Sequence, residues 1–364
     1  MKKTLLLTHE YYPYRGGIAQ YCYQIFRRLP ADRYVVLTDQ RDVARKQPVI
    51  VKSLISSFVR PSWLKGIRVV QRIVKKEGIE VIVTPHLLPL GNIALAMRRL
   101  HKIPYIVSLH GLDVNLALEK KRHQAVGILT AAQHVIANSQ ATLSAVRAAC
   151  GEIPATVITP SYDAEKLIVH EPSRQMLLRR YEGRPVILTV GRLVRRKGQD
   201  TVIRAMPQIV RNVPDAQYVI VGNGPDYAYF SQLITELRLR RFVDIVTDVS
   251  DTSLGAYYSI ASIFAMPTRA IGPDVEGFGI VYLEAAHFKL PIVAGKGGGA
   301  EEALGGDKNG ILLSGESADE VADAIVNLLH DRELSAYLGS QAQSRLASLP
   351  TWDDQAQRFS ALLK

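Results

Sequence analysis

Two doubly wound, Rossmann-like α/β domains with a cleft between them are the fold that the sequence predicts, and three observations predict it. Short β-branched apolar runs alternate with longer amphipathic stretches along most of the chain, the rhythm of parallel sheets covered on both faces. The rhythm breaks at 163–184, a polar and charged stretch that holds Pro172 and Gly183 and precedes Pro185. It reads as the connection between domains. The length, 364 residues, suits two domains of about 100–200 residues each.

In the first half, strands are expected over 4–8, 34–38, 80–84, 105–109, 135–137 and 156–159, runs rich in Val, Ile, Leu and Thr. Helices are expected over 18–29, 64–76, 93–100 and 141–149, where apolar residues recur at helical spacing. The second half repeats the rhythm, with strands at 186–190, 218–221, 243–246, 263–266, 291–293 and 310–312, and helices at 200–211, 227–239, 281–287 and 318–329. The domains are placed at 1–167 and 168–349, with a terminal helix over 350–364 expected to pack back on the first. Ligands of such sheets sit beyond the carboxyl ends of the strands, so the loops there are the places to look for chemistry.

Composition narrows the classes. Apolar residues make up 47% and charged residues 22%, as in ordinary globular proteins and unlike disordered or fibrous chains. No apolar run reaches the ~18 residues that span a bilayer. The opening run Leu5-Leu6-Leu7 stops at Thr8-His9-Glu10, too short for a secretion signal, and reads as a buried strand. Cys22 and Cys150 are the only cysteines. They are too few for a disulfide framework or a thiolate zinc site, and a reduced, cytoplasmic setting is expected. The net charge of +11 is uneven: residues 1–170 carry +13 and the remainder −2. An anionic partner for the first half is one reading, whether membrane surface, nucleic acid or phosphorylated ligand. A solvated basic surface kept for solubility is the other.

Four loops carry candidate chemistry. After the first strand, Tyr12-Pro13-Tyr14-Arg15-Gly16-Gly17 precedes a helix. A glycine pair there lets backbone N–H groups approach an anion, or simply makes a tight turn. Leu109-His110-Gly111-Leu112-Asp113 places a histidine and a carboxylate at a strand's end, suited to hydrogen-bonding a polar ligand or to a structural role. Gly191-Arg192-Leu193-Val194-Arg195-Arg196-Lys197-Gly198 offers Arg192 as a guanidinium fork and Lys197 as a point charge for a diphosphate. Such a cluster at a helix start opposes the helix dipole, which counts against a merely exposed turn. The most specific loop is Asp274-Val275-Glu276-Gly277-Phe278-Gly279-Ile280-Val281-Tyr282-Leu283-Glu284. With a helix beginning near Gly279, Glu276 lies in the loop and Glu284 more than one turn into the helix. Free N–H groups at the helix start suit a diphosphate, and the two carboxylates suit sugar hydroxyls.

Taken together these residues resemble the family 4 retaining glycosyltransferases, which have the GT-B fold. The resemblance spans nearly the whole chain in order: the glycine pair, His110-Gly111, Ala137-Asn138-Ser139, Gly191-Arg192 with Lys197-Gly198, Gly222-Asn223-Gly224-Pro225 and the paired glutamates. The stretch 274–285, followed by Gly297-Gly298-Gly299-Ala300-Glu301-Glu302, is similar to the phosphatidylinositol-mannoside mannosyltransferase branch, which uses GDP-mannose and a lipid acceptor. The resemblance implies an acceptor-binding first domain and a nucleotide-sugar-binding second one. It implies that Gly16 and Gly17 approach the diphosphate, with Tyr14, Arg15 and Asp113 on the acceptor side. His110 would contact the donor sugar near its 6-position. Gly191, Arg192 and Lys197 would hold the diphosphate, with backbone groups of Phe278, Gly279 and Ile280. Glu276 would bind sugar hydroxyls and Glu284 the ribose, while Gly222, Asn223, Asp248 and Val249 would lie near the nucleobase. No metal or other cofactor is expected, since basic residues and helix N-termini take a metal's place. One departure stands out: Pro160-Ser161-Tyr162-Asp163 occurs where the family has Pro-Gly-Val-Asp, which bears on the acceptor more than on the donor.

The function expected is transfer of a hexose, mannose from GDP-mannose as first choice, to a lipid-linked or glycan acceptor. A UDP-sugar donor with a soluble or glycan acceptor is the alternative within the class. Outside it stand a dinucleotide enzyme, a non-catalytic basic binding protein and an inactive sugar-binding homologue. Gly222-Asn223-Gly224 lacks the third glycine of a dinucleotide fingerprint, because position 227 is Tyr. The basic residues are not interleaved with aromatics as a nucleic-acid stacking platform requires, so no nucleic-acid partner is expected. Intact Arg192, Lys197, Glu276 and Glu284 argue against an inactive homologue. The stretch 52–76 mixes Lys52, Arg60, Lys65, Arg68, Arg72, Lys75 and Lys76 with Phe58, Val59, Trp63, Leu64, Ile67, Val70 and Ile73. It reads as a peripheral, salt-sensitive membrane contact or as an ordinary amphipathic helix on the first sheet.

Overall fold

A parallel sheet forms wherever the apolar runs fall. In the computed structural model, which describes residues 1–14, 16–43, 48–55 and 61–364, the chain divides into Met1–Pro160 with Pro350–Lys364, and Ser161–Leu349.

The first unit contains β1 (Thr4–Thr8), β2 (Tyr34–Thr38), β3 (Val49–Val51), β4 (Val81–Thr84), β5 (Tyr105–Leu109), β6 (His134–Ala137) and β7 (Ala155–Val157). They lie in the order β3-β2-β1-β4-β5-β6-β7, all parallel. β1 shows how the sequence builds this. Leu5 and Leu7 face one cluster with Val35, Leu37, Val70 and Ile93, and Leu6 faces the other with Ile25, Phe26 and Val36. Side chains alternate between two covered faces, so the strand reads as an unbroken apolar run. The helices Leu64–Glu77 and Leu90–His101 cover the first face. Gly17–Phe26 and the terminal Trp352–Ala361 cover the second.

The second unit contains β8 (Val186–Val190), β9 (Gln217–Val221), β10 (Val243–Val246), β11 (Ile263–Met266), β12 (Ile292–Gly295) and β13 (Ile311–Leu313), in the order β10-β9-β8-β11-β12-β13, again parallel. In both sheets the order reverses beside the first strand: between β1 and β4, and between β8 and β11. A crevice opens at such a switch point beyond the carboxyl ends of the strands.

Two sequence expectations need correction. The stretch 163–184 is not a bare connector. It forms a short 3-10 turn, Ala164–Leu167, and the helix Glu171–Tyr181. Pro172 sits in the first turn of that helix, where its missing N–H costs no bond, so it is a start signal and not a breaker. The boundary falls after Pro160 and not after 167, because Leu167 is buried in the second unit's core with Tyr181, Tyr257 and Tyr258. The expected membrane stretch is also placed. On the helix Leu64–Glu77, Val70 and Ile73 are buried in the first sheet's core and Ile67 and Val74 pack beside them, so its apolar stripe is occupied by the domain. Lys65, Arg68, Arg72, Lys75 and Lys76 are exposed. Phe58, Val59 and Arg60 lie outside the described residues. Among the described residues no helix is long and apolar enough to cross a membrane.

Candidate active site

In the second unit the loops after β8 and β11 meet across the switch point. The Arg269 N–H donates to the Arg196 carbonyl at 2.9 Å. The Arg269 guanidinium grips Asp200 at 3.0 and 2.7 Å, tying the β11 loop to the start of the helix Gln199–Asn212. Gly198 is a position only glycine fills: its φ is +78°, and a Cβ there would stand 2.1 Å from the Pro267 carbonyl oxygen. This close approach seats the residues before it beside the β11 loop.

Glu276 is the centre of the arrangement. Lys197 Nζ and Arg196 Nη1 each donate to its Oε2 at 2.6 Å. The Glu276 side chain is only 9% exposed. Burial by itself would raise its pKa, but Lys197 and then Arg196 overcome that and hold it at about 2. Arg196 Nε also lies 2.8 Å from Asp274 Oδ1, close enough for an ion pair but misaligned for a hydrogen bond, so both atoms are buried without an aligned partner. Sequence reasoning gave Arg196 and Asp274 no role. Both stand in the quoted loops, but their meeting depends on the β8–β11 crossover, which no local pattern announces.

Of the other expected donor residues, Gly191 adjoins the Lys197 stem and Gly279 adjoins Glu276 Cγ. Arg192 is exposed and makes no ion pair among the described residues. Gly191 donates its N–H to Val221 at 2.9 Å. Gly222 lies against Gly191, and Leu193 N–H donates to Asn223 O at 3.0 Å, so the β9 loop braces the β8 loop. Asn223 spends its side-chain oxygen on the Gly224 N–H at 2.8 Å. Phe278 is buried, Gly279 is left-handed with φ +85°, and the helix Ile280–His287 starts directly after it. The Gly299 N–H donates to the Glu276 carbonyl at 2.9 Å, fixing the backbone that carries the carboxylate. Glu284 accepts from Tyr258 Oη at 2.7 Å. Asp248 takes a left-handed φ of 58° beyond β10, and Val249 beside it packs on the core.

In the first unit, Gly16 and Gly17 stand at the start of the helix Gly17–Phe26. A Cβ at Gly17 would meet nothing within 4 Å, so the turn itself does not require that glycine and open space lies beside it. Tyr14 is half exposed; Arg15 lies outside the described residues. His110 follows β5, stacks edge-on to Tyr21 with ring centroids 4.9 Å apart, and burial pushes its pKa down to about 3, so the ring is neutral. Asp113 Oδ1 accepts from the His110 N–H at 3.1 Å. Burial, partly offset by backbone hydrogen bonds, lifts its pKa to about 6. Three residues not read from the sequence stand beyond β1, β2 and β4. His9 Nδ1 lies 3.0 Å from Asp39, and the rings of His9 and His86 lie 5.1 Å apart. The parallel order that brings β1, β2 and β4 side by side gathers them, and no spacing in the sequence marks it.

Comparisons with known proteins find relatives along the whole chain. Residues 15–166 match the family profile described as Glycosyltransferase Family 4, and 176–345 match Glycosyl transferases group 1. A GDP-mannose-dependent alpha-(1-6)-phosphatidylinositol monomannoside mannosyltransferase of Mycobacterium tuberculosis is 30% identical over 100% of this chain and 98% of its own length. A GDP-mannose-dependent monoacylated alpha-(1-6)-phosphatidylinositol monomannoside mannosyltransferase of Corynebacterium glutamicum is 28% identical over 100% and 98%. Among solved structures, Anabaena HepE in complex with UDP and glucose superposes with a TM-score of 0.83 at 22% identity, covering 99% of both chains. That likeness shows the fold.

Proposed function

The chain belongs to glycosyltransferase family 4 and has the GT-B fold, and from that premise we propose that it transfers mannose from GDP-mannose to a lipid-linked or glycan acceptor. It is a nucleotide-sugar-dependent hexosyltransferase. The observation that carries the donor assignment is the cluster at the β8–β11 switch point. An uncommitted Arg192, a Lys197 already at the crevice and the N-terminus of the helix Ile280–His287 are the groups a diphosphate needs.

The chemistry is leaving-group departure. Negative charge grows on the terminal phosphate as the anomeric bond breaks, and fixed cations and helix N–H groups stabilise it more than they stabilise the bound donor. In our reading these groups do a metal's work, and activity survives EDTA; loss restored by manganese or magnesium would overturn that. The anomeric configuration is retained, with the acceptor hydroxyl entering on the face the phosphate leaves and the phosphate taking its proton. Glu276 supports this by elimination. A carboxylate that Lys197 and Arg196 hold at about 2 in the donor-free protein, and that Arg196 still pairs when Lys197 turns to the donor, is a weak base and a weak nucleophile but a good acceptor for sugar hydroxyls.

GDP-mannose and the lipid acceptor rest on the mycobacterial and corynebacterial relatives, whose names carry both. We place the protein at the inner face of a membrane, held by the exposed basic side of the helix Leu64–Glu77, in a reducing compartment that suits its free Cys22 and Cys150. No nucleic-acid partner belongs to this reading. Thermal shift with GDP, UDP and ADP tests the donor. A nucleotide at 100 times its Kd adds ~2.7 kcal/mol of stability. GDP should give the largest shift, followed by hydrolysis of GDP-mannose; a larger shift with UDP moves the assignment to a UDP-sugar.

A further inference from the structure

Two cations on one carboxylate oxygen is a crowded arrangement, and a diphosphate makes it more so. Lys197 and Arg196 both contact Glu276 Oε2 at 2.6 Å. Of the two, Arg196 is anchored elsewhere. Its Nε lies 2.8 Å from Asp274, and its carbonyl accepts from Arg269 at 2.9 Å, a residue itself locked on Asp200. Lys197 has Glu276 as its one ion-pair partner among the described residues. Its ammonium is a point charge on a flexible stem. The stem passes along Gly191, with Cε 3.9 Å from where a Cβ at that glycine would stand.

We propose that Arg196 is a positioning residue that keeps Glu276 charged and in place so that Lys197 can leave it for the donor diphosphate. The inference rests on the donor-site reading above. Before donor arrives, two cations balance two carboxylates, Glu276 and Asp274. When the diphosphate enters, Lys197 exchanges one anion for another. Without Arg196 the exchange would strand a buried, uncompensated carboxylate, a costly state, and Lys197 would stay on Glu276. With Arg196 bridging Glu276 and Asp274, the carboxylate remains ionised and oriented toward the sugar hydroxyls. Arg196 acts on the donor through Glu276 and Lys197, not by touching phosphate.

The test is a cycle of nucleotide binding by calorimetry, with GDP and UDP run on the unaltered protein and the tighter one used throughout. Arg196→Ala should weaken nucleotide binding by about tenfold or more, because Lys197 is retained. Adding Glu276→Gln to it should restore binding to within about threefold of the unaltered protein, because nothing then holds Lys197, while transfer stays absent; a coupling of this size is what contacting residues show. Should Arg196→Ala fail to fold, as judged by circular dichroism, Arg196→Gln alone and with Glu276→Gln gives the same comparison, because Gln keeps much of the stem's volume and removes the charge. Unchanged nucleotide affinity in the single variants overturns the inference, and so does a double variant as weak as the single, which would put Arg196 on the phosphate itself. If the unaltered protein binds neither GDP nor UDP, the donor-site reading falls, and this inference with it.

Discussion

Arg192 and Lys197 look equivalent as cations in one loop, yet they differ in what each gives up to hold a phosphate. Arg192 is exposed and uncommitted, whereas Lys197 is committed to Glu276. Arg192→Ala and Lys197→Ala should each lower kcat by about 10²–10³, the scale of one lost charge-stabilising donor. Arg192→Ala should leave Tm where it is. If both variants keep near-normal kcat in single-turnover assays, the diphosphate lies elsewhere. Glu276 yields a pH prediction. Burial opposes its charge, Lys197 and Arg196 favour it, and the result is a folded-state pKa of about 2 against an ordinary 4.5. A depressed carboxylate pKa stabilises the fold above the ordinary value, and that contribution is lost as pH falls through the folded one. Glu276→Gln should therefore be less stable than the unaltered protein at pH 6 by urea unfolding, with the gap narrowing as pH falls toward 2. A gap that is constant with pH would mean that the ion pairs are not what holds the carboxylate. Arg192, Lys197 and Glu276 were legible because each stands in a loop with glycine beside a helix start, and Glu284 because it follows within the helix that one of those loops opens. Arg196, Asp274, His9, Asp39 and His86 were not, because their partners come from other strands.

The helix Leu64–Glu77 shows what periodicity conveys and what it leaves open. Its spacing announced an amphipathic helix, ended by Gly78 in a left-handed cap with φ 65°, but not what covers the apolar stripe. The first sheet covers it, so the membrane contact we propose would have to be electrostatic, through Lys65, Arg68, Arg72 and Lys75, each worth ~1 kcal/mol near an anionic surface. Neutralising the four together should abolish flotation with anionic vesicles at low salt and leave sugar-nucleotide hydrolysis intact. An unaltered protein that fails to float removes the physical support for a lipid-linked acceptor. Elements with weaker patterns escaped the sequence. The helix Arg332–Ala347 carries Gly339, a weak helix former, in its interior. The structure gives it a purpose: a Cβ there would stand 2.0 Å from the Lys289 carbonyl oxygen, so the glycine permits close packing. The helices Leu112–Lys120 and Arg122–Ala131 lack a clear apolar stripe, and β3 is short and only half-buried.

Across the whole molecule, the first unit is assembled from both ends of the chain. Residues 350–364 return to it after the second unit is complete, and the terminal helix is built for that contact. Thr351 and Asp354 form a capping box at its start. Trp352, Phe359 and Leu363 are almost fully buried among Leu6, Tyr21 and Phe26. Phe359 meets Phe26 edge-on at 5.4 Å, Gln355 donates to Thr159 at 2.8 Å, and Leu363 accepts from the Lys2 N–H at 2.7 Å. These contacts cover one face of the first sheet and none of the second, so a cavity there should weaken one unit alone. Phe359→Ala should destabilise the first unit by about 3–5 kcal/mol. Hydrogen exchange followed by mass spectrometry checks where the loss falls. Protection should drop in β1, β2 and the helix Gly17–Phe26, and stay unchanged in β8, β9 and β11. An equal loss in both sheets would show that the two units unfold as one, and that the terminal helix stabilises the whole chain and not the first unit alone.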